Sequence, residues 1–442
     1  MRLDFTQDAT IHKHMSTQAL PQPLSRDPSL PHQRKPLKYV DVFVDDFIGL
    51  AQGKEQLSQV RSIILKSIDS VFRPNDYHDG PHRREPVSLK KQRKGESSWS
   101  TVKTVLGWIV DTTNMTISLP SHRRDRLNEI LLSIKPTQKR VSVKKWHKVL
   151  GELRSMSLAL PGARNLFSHL QEALTGKQNQ RIALRKGVHD SIKDFKWMLQ
   201  DISRRPTRIA ELVPLPPSAL GYHDASGIGA GGVWTVASHV NPRGTSSPQP
   251  LLWRLTWPVD IRNQLITDLN PNGTITISDL ELAGSLLHLD IIAQNYDIRE
   301  RTILSKTDNM ATLFWTRKGS TSTSKVPAYL LRLFGIHQRY HRYVPRYDYE
   351  PGQTNSLADD ASRRFDLKTN ELLTLFNSRH KQQVNWRLVH PRQEIITAVF
   401  IALRKQTSNA ECLLVEPPPP VPIGKSGSSS PIDWASIKRT PF

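Results

Sequence analysis

The sequence predicts a protein of α/β and α+β class built from several domains, on three observations. At 442 residues it is long enough for about three domains, taking about 150 residues each. Hydrophobic residues make up 37% and charged residues 23%, which permits sizeable cores and excludes a wholly disordered chain. Strand-like runs and helical periodicity follow one another from Tyr39 onward. In the second half, strands are followed by alternating helices and strands, the pattern of a mixed α/β domain.

Residues 1–38 lack periodicity and carry prolines at 21, 23, 28, 31 and 36, so an extended leader is expected. Tyr39–Val44 is β-branched and aromatic, Asp45-Asp46 is turn material and Phe47–Leu50 is apolar again, which predicts a tight hairpin with two carboxylates at its tip. Leu57, Val60, Ile64, Leu65 and Ile68 share one face of a helix over 54–72. A polar, basic loop is expected over 73–98, then short strands at 104–111 and 116–119. Residues 121–204 read as helical. The clearest helix begins after Ser142, a good N-cap, and runs to Leu160 before Pro161. Lys144, Lys145 and Lys148 fall off its apolar face, either as a solvated surface or as a phosphate-tracking one. Pro206–Pro217 reads as a linker. Beyond it, strands are expected at 220–237, 251–257, 301–307 and 340–349, and helices at 277–296, 309–336 and from Asn355. Residues 366–404 read as helical, and the tail with Pro417–Pro420 and Ser428–Ser430 as disordered.

Lys and Arg number 62 against 40 Asp and Glu, a formal net charge of +22 that suits a polyanion such as nucleic acid. No apolar run reaches the ~20 residues of a membrane span, and no signal-peptide core is present, so no membrane partner is expected. Cys412 is the only cysteine, which excludes an intramolecular disulfide and a Cys-rich metal site. An intracellular protein of nucleus or cytoplasm is expected, with any metal held by carboxylates or histidines.

Two constellations of acids stand out against this basic background. The first is Phe43-Val44-Asp45-Asp46-Phe47, where adjacent carboxylates repel each other unless they are solvated or bound to a cation. With its flanks it resembles the catalytic hairpin of reverse transcriptases. Leu106-Gly107-Trp108-Ile109-Val110-Asp111 resembles the primer-gripping hairpin of that family, and 144–161 its thumb helices. The second comprises Asp224 in a glycine-rich strand segment, Glu281 near a helix start, Asp308 at a strand end and Asp359 early in a helix. Each alone has a plain explanation, such as an acid at a helix N-terminus. In that order they resemble the active site of ribonuclease H, and Asn355-Ser356-Leu357-Ala358-Asp359-Asp360-Ala361-Ser362-Arg363 is similar to an element of retroelement ribonuclease H domains.

The resemblance, closest to gypsy-type or DIRS-type polyproteins, implies the C-terminal part of a polymerase palm over 39–120 and a helical thumb, connection and linker over 121–217. A ribonuclease H-like mixed-sheet domain would cover 218–370, with a helical extension over 371–404 and a disordered tail over 405–442. It implies hydrolysis of the RNA strand of an RNA–DNA hybrid with two Mg²⁺ ions, Mn²⁺ being an alternative, about 4 Å apart. Asp224 would bridge both ions, with Glu281, Asp308 and Asp359 completing the shells. Asp45 and Asp46 would be metal ligands of a polymerase remnant. Lys144, Lys145, Lys148 and Trp108 would contact nucleic acid. Asn309 would either contact the hybrid or cap a helix.

A polymerase also needs a third aspartate on an earlier strand. Asp4 and Asp8 are the only remote candidates before Tyr39, so an N-terminally truncated palm without fingers, inactive in DNA synthesis, is expected. A complete polymerase or other element-encoded proteins are candidate partners. None of the 16 histidines has Arg three residues later, so no tyrosine recombinase is encoded. The competing readings are a catalytically silent nucleic-acid-binding remnant and an integrase or resolvase on the same fold. His337 and His341 could shuttle protons or simply pack. The basic run 83–94 is a nuclear-import signal, a template track or a solvated loop.

Overall fold

The computed structural model describes residues 38–43, 46–83, 85–95, 97–175, 181–244, 248–321, 325–408 and 413–414. The expected leader and tail, including Asp4, Asp8 and Cys412, lie outside the described residues. The chain divides into two compact units, the first ending at Val105 and the second beginning at Leu106.

In the first unit, β1 (Lys38–Phe43) and β2 (Asp46–Ala51) form the expected antiparallel hairpin, in register from Lys38 opposite Ala51 to Phe43 opposite Asp46. Helix α1 (Lys54–Phe72) buries Val60, Ile63 and Ile68. The indole of Trp99 anchors the following segment by donating to the carbonyl of Leu57 at 3.0 Å. The expected loop contains a short helix, α2 (Leu89–Arg93), and the unit ends in β3 (Val102–Val105).

The second unit opens with β4 (Trp108–Asp111) and β5 (Thr116–Ser118), an antiparallel pair. Then come α3 (Ser121–Leu132), β6 (Arg140–Val141), α4 (Val143–Ser157), α5 (Phe167–Glu172), β7 (Ile182–Ala183) and α6 (Lys186–Arg204). Ser142 caps α4 by accepting from the Lys145 amide at 3.3 Å, as its place before the periodic run predicts. The proline-rich stretch after α6 is not a free tether. It holds β8 (Thr207–Arg208), paired with β5, and the buried Glu211.

The rest of the unit is built on β9 (Ala219–Ala225), β10 (Gly229–Val236), β11 (Leu251–Thr256), β12 (Thr302–Thr307), β13 (Val344–Tyr349) and β14 (Arg387–Leu388). Their order in one six-stranded sheet is β13-β12-β9-β10-β11-β14. The meander β9-β10-β11 is antiparallel, whereas β12 runs parallel to β9, β13 to β12 and β14 to β11. The helices are α7 (Val259–Arg262), α8 (Ile277–Asn295), α9 (Met310–Lys318), α10 (Lys325–His341), α11 (Ser356–Arg363), α12 (Thr369–Arg379) and α13 (Gln393–Leu403). Strand neighbours alternate between faces. Trp234, Leu251 and Trp253 join the large core under α8, α10 and α13, and Val233 and Leu252 join a second core with Ala361, Leu372, Phe376 and Trp386. The sheet is thus covered on both faces. Helix α8 is buried along most of its length, enclosed by other elements, and its polar side chains Asp279, Glu281, His288 and Asp290 are buried with it.

The large core is continuous from α3–α6 into the sheet layers. Arg339 on α10 is fully buried and donates to Asp201 on α6 at 2.6 Å, to Thr207 at 3.1 Å and to Glu211 at 3.4 Å. Arg332, also on α10, donates to both carboxylate oxygens of buried Asp194 of α6 through its Nε and Nη2. Among the described residues, no helix is long and apolar enough to cross a membrane.

Candidate active site

Asp224 sits one residue from the C-terminal end of β9, and Asp308 follows the last residue of the parallel neighbour β12. Two side chains are thereby brought together at the carboxyl edge of a parallel strand pair, where α/β sheets offer a crevice. Thr276 caps α8 reciprocally with Asp279, at 3.2 and 2.8 Å, fixing the helix start so that Glu281 reaches the same edge. The Ala225 amide donates to Glu281 Oε1 at 3.1 Å. Carboxylate oxygens of Asp224, Glu281 and Asp308 lie within 4.8 Å of one another.

Asp359 comes from the other face of the sheet, on α11, and a glycine makes its approach feasible. Gly231 pairs with Asp224 across β9–β10, and a Cβ at that glycine would stand 2.5 Å from the Ala361 backbone. The missing side chain lets α11 lie against the strand. The Ser362 hydroxyl then donates to Asp224 Oδ2. Arg363 Nη2 stands 2.9 Å from Asp359, and its Nε 3.4 Å from Asp224. Asp359 is outside the mutual 4.8 Å group, linked to it through Arg363.

The electrostatics are those of crowded, partly dehydrated acids. Burial, then the charges of Asp224 and Asp308, push the Glu281 carboxyl well above its ordinary range, and Glu281 Oε2 is buried without a hydrogen-bond partner. Burial, then Asp224 and Asp359, push Asp308 up. Burial also raises Asp359, where the pull of Arg363 is outweighed with help from Asp224 and Asp360. Oxygen-only donors under mutual repulsion, with an orphaned buried oxygen among them, fit a hard divalent cation.

A second group with metal-ligating atoms, Asp290, His337 and His341, is different. Burial would raise Asp290, but hydrogen bonds from His337 and Arg392 outweigh it and hold the carboxyl well below its ordinary range. Arg392 Nε reaches both carboxylate oxygens at 3.1 and 3.2 Å, and His337 Nδ1 meets the Tyr343 hydroxyl at 3.0 Å. That carboxylate is already neutralised, so the cluster reads as packing and places His337 and His341 in the core.

The other expected contacts are placed unevenly. Lys144 and Lys148 are exposed on α4, whereas Lys145 donates to the Ser133 carbonyl at 2.9 Å. Trp108 is only 5% exposed and belongs to the core, so its ring is not at the surface as expected. A Trp after a tight turn reads alike in sequence whether it faces solvent or core. Asn309 caps α9, accepting from the Thr312 amide at 3.0 Å and donating to Ser278 at 3.2 Å, which takes the capping alternative. Asp45 lies outside the described residues, as does the side chain of Asp46. Ser362 and Arg363, which the sequence offered only as part of the Asn355–Arg363 element, touch Asp224 themselves.

Two turns along α8 from Glu281, His288 stacks on Trp234 at 4.1 Å and its Nδ1 accepts from the Trp253 indole at 2.9 Å. That acceptor role requires a neutral ring, and burial pushes its pKa well below the ordinary histidine value. A folded value below the unfolded one means that stability is complete above about pH 6.5 and falls as the pH drops below it. Unfolding free energies from urea titrations are expected to decline as the pH falls from about 6.5 to 5.5, by up to ~1.4 kcal/mol per pH unit for this ring. The decline should be shallower in His288→Gln; equal slopes would remove His288 from the account.

No protein-family model matches the chain, and no curated protein does. Among solved structures it is similar to a foamy viral protease-reverse transcriptase dRH in complex with double-stranded DNA, at 13% identity and a TM-score of 0.30 over 70% of this chain and 46% of that one. It is similar to foamy viral protease-reverse transcriptase with an RNA/DNA hybrid, at 9% and 0.24 over 71% and 41%. A third such structure, with double-stranded DNA, matches at 9% and 0.23 over 71% and 63%. The chain therefore spans less than half the length of the first two chains it matches.

Proposed function

We propose that the second unit is a divalent-metal-dependent nuclease of the ribonuclease H type that cuts the RNA strand of an RNA–DNA hybrid. The observation that carries this reading is the meeting of Asp224, Glu281 and Asp308 within 4.8 Å at the carboxyl edge of β9 and β12. Asp359 and Arg363 close the site from the opposite face. A gypsy-type or DIRS-type origin, with a complete polymerase as a candidate partner, belongs to the same proposal. DNA synthesis is not part of it.

Asp224, Glu281, Asp308 and Asp359 are the residues that would hold two Mg²⁺ ions, or Mn²⁺. Bound there, such ions lower the pKa of an attacking water and offset charge on the departing oxygen. In the reaction, a water oxygen bonds to phosphorus while the bond from phosphorus to the 3′ oxygen breaks, leaving a 5′-phosphate and a 3′-hydroxyl. The protein's part is orientation. Ser362 holds Asp224 in place, and the Ala225 amide aims Glu281. Arg363, 57% exposed, draws part of the charge of Asp224 and Asp359 and has room to swing outward.

The test uses the full chain with an end-labelled hybrid and Mg²⁺, beside Asp308→Asn, with double-stranded DNA as a parallel substrate. Cleavage of the RNA strand alone, lost in the variant and in EDTA, is the expected result. A folded protein that binds the hybrid and leaves it intact would be a silent binder, and cutting of DNA alone would favour the integrase-like reading.

A further inference from the structure

The four acids of the candidate site are unequally supplied with countercharge. Asp224, Glu281 and Asp308 bring oxygens within 4.8 Å of one another, and among the described residues neither Glu281 nor Asp308 forms an ion pair. Glu281 is buried, and its Oε2 has no hydrogen-bond partner. This group can accept a cation without displacing a side chain. The pair formed by Asp224 and Asp359 is different, because a guanidinium already lies between them. Arg363 Nη2 stands 2.9 Å from Asp359 Oδ1, and its Nε 3.4 Å from Asp224 Oδ2.

The backbone of this arginine is pinned while its side chain is free to move. A Cβ at Gly231 would stand 2.8 Å from the Ser362 amide nitrogen, so β10 lies directly against the last turn of α11. Ser226 Oγ donates to the Ser362 carbonyl at 3.2 Å, and Arg254 Nη1 donates to the Arg364 carbonyl at 2.6 Å, which fixes the chain on both sides of Arg363. Arg364 is committed to Asp366. The Arg363 side chain is 57% exposed, and its ion pairs run to the two site acids. A guanidinium is a broad monovalent cation that needs carboxylate lone pairs for its N–H groups, and a small divalent ion needs the same lone pairs at about 2.1 Å. The two cannot hold the same oxygens at once.

We propose that Arg363 is a built-in counter-cation that competes with the second of two divalent ions. A first ion would be held by Asp224, Glu281 and Asp308 with the arginine in place, and a second would reach Asp224 and Asp359 only as the guanidinium leaves. The inference rests on the nuclease reading for the identity of the ions. Its consequence is a site that fills in two steps, the second at a higher metal concentration. Exposed ion pairs are weak, each worth up to about fivefold in an equilibrium, so two of them weaken the second ion by about tenfold and do not shut it out.

The experiment counts Mn²⁺ bound to the full chain without nucleic acid, from the electron paramagnetic resonance signal of the free ion, so the readout needs no cleavage. The parent is expected to bind two ions, the second more weakly. Arg363→Gln should hold the first ion within about threefold of the parent and the second about tenfold more tightly. Arg363→Ala should show the same gain, and Arg363→Lys, which keeps a charge, should stay near the parent. The gain should vanish in an Asp359→Asn background, because the two side chains act on one ion. An unchanged second affinity in Arg363→Gln and Arg363→Ala would overturn the proposal. A weaker one would overturn it too, and would mean that the arginine aims Asp359 at the ion. A folded parent that binds no Mn²⁺ would sink both the competition and the two-ion reading. A tighter second ion in a chain that never cuts a hybrid would sink the nuclease reading and leave the competition standing. Cutting of the hybrid with an unchanged second affinity would do the reverse.

Discussion

Glu281→Gln is expected to abolish hybrid cleavage, by about 10³-fold or more, while making the metal-free protein more stable near neutral pH. Both effects come from one feature. Glu281 is 3% exposed, and burial together with the charges of Asp224 and Asp308 raises its pKa well above the ordinary carboxyl range. For an acid whose folded pKa lies above its unfolded one, ionisation is easier in the unfolded chain, so at pH values above the unfolded pKa the group disfavours folding. Gln keeps the shape and can still accept from the Ala225 amide, as Glu281 Oε1 does at 3.1 Å. It has no charge to bury.

On the proposed nuclease reading activity moves the other way, because a divalent ion held by these residues would offset the repulsion of the crowded carboxylates. Removing one ligand loses several kcal/mol of transition-state stabilisation, and ~4 kcal/mol is about 10³ in rate. The paired measurement is a thermal melt with and without Mg²⁺ beside the cleavage assay. The parent should gain melting temperature with Mg²⁺, and Glu281→Gln should begin higher and gain less. A variant that begins lower and gains as much as its parent would mean that Glu281 is a structural acid and no ligand.

What the sequence made legible follows from the range of the forces involved. The β1–β2 hairpin is written locally, in β-branched and aromatic residues either side of a turn, and the pairing of Lys38–Phe43 with Asp46–Ala51 follows the reading. Helix α8 and strand β12 were likewise legible within a residue or so at each end. Three of the four expected acids meet as a group, although 84 positions separate Asp224 from Asp308, because a motif can report spacing that composition cannot. What failed was non-local. Strand β14 is two residues inside a stretch with helical texture, and only pairing with β11 makes it a strand. The helical stretch at 309–336 is two helices, with Gly319 ending the first in a left-handed turn and the second continuing to His341. The proline-rich connection looked like a tether because the ion pairs of Glu211 with Arg339 and Arg342 reach across more than a hundred residues. The contacts of Ser362 and Arg363 with Asp224 are of the same long-range kind.

Arg332→Met is expected to cost about 3–5 kcal/mol of stability, the range for breaking one side of a buried ion pair. The side chains of Arg332 and Asp194 are 3% and 4% exposed, and the bond from Arg332 Nη2 to Asp194 Oδ1 is 3.0 Å. Arg332 Nη1 also donates to the Ser408 carbonyl at 2.8 Å. Burial already pushes the Asp194 carboxyl up, against the pull of the guanidinium beside it. Without Arg332, Asp194 must either stay charged in an apolar interior or take up a proton on folding. Either route costs free energy at neutral pH, and the second makes the variant lose stability further as the pH rises. The double substitution Asp194→Leu/Arg332→Met removes both charges and should recover most of the loss, because two apolar groups of similar volume need neither solvation nor a partner. Urea midpoints of the four proteins measure the coupling. Losses of the two single variants that simply add in the double would show that the two charges are not coupled and that α6 and α10 are joined by packing alone.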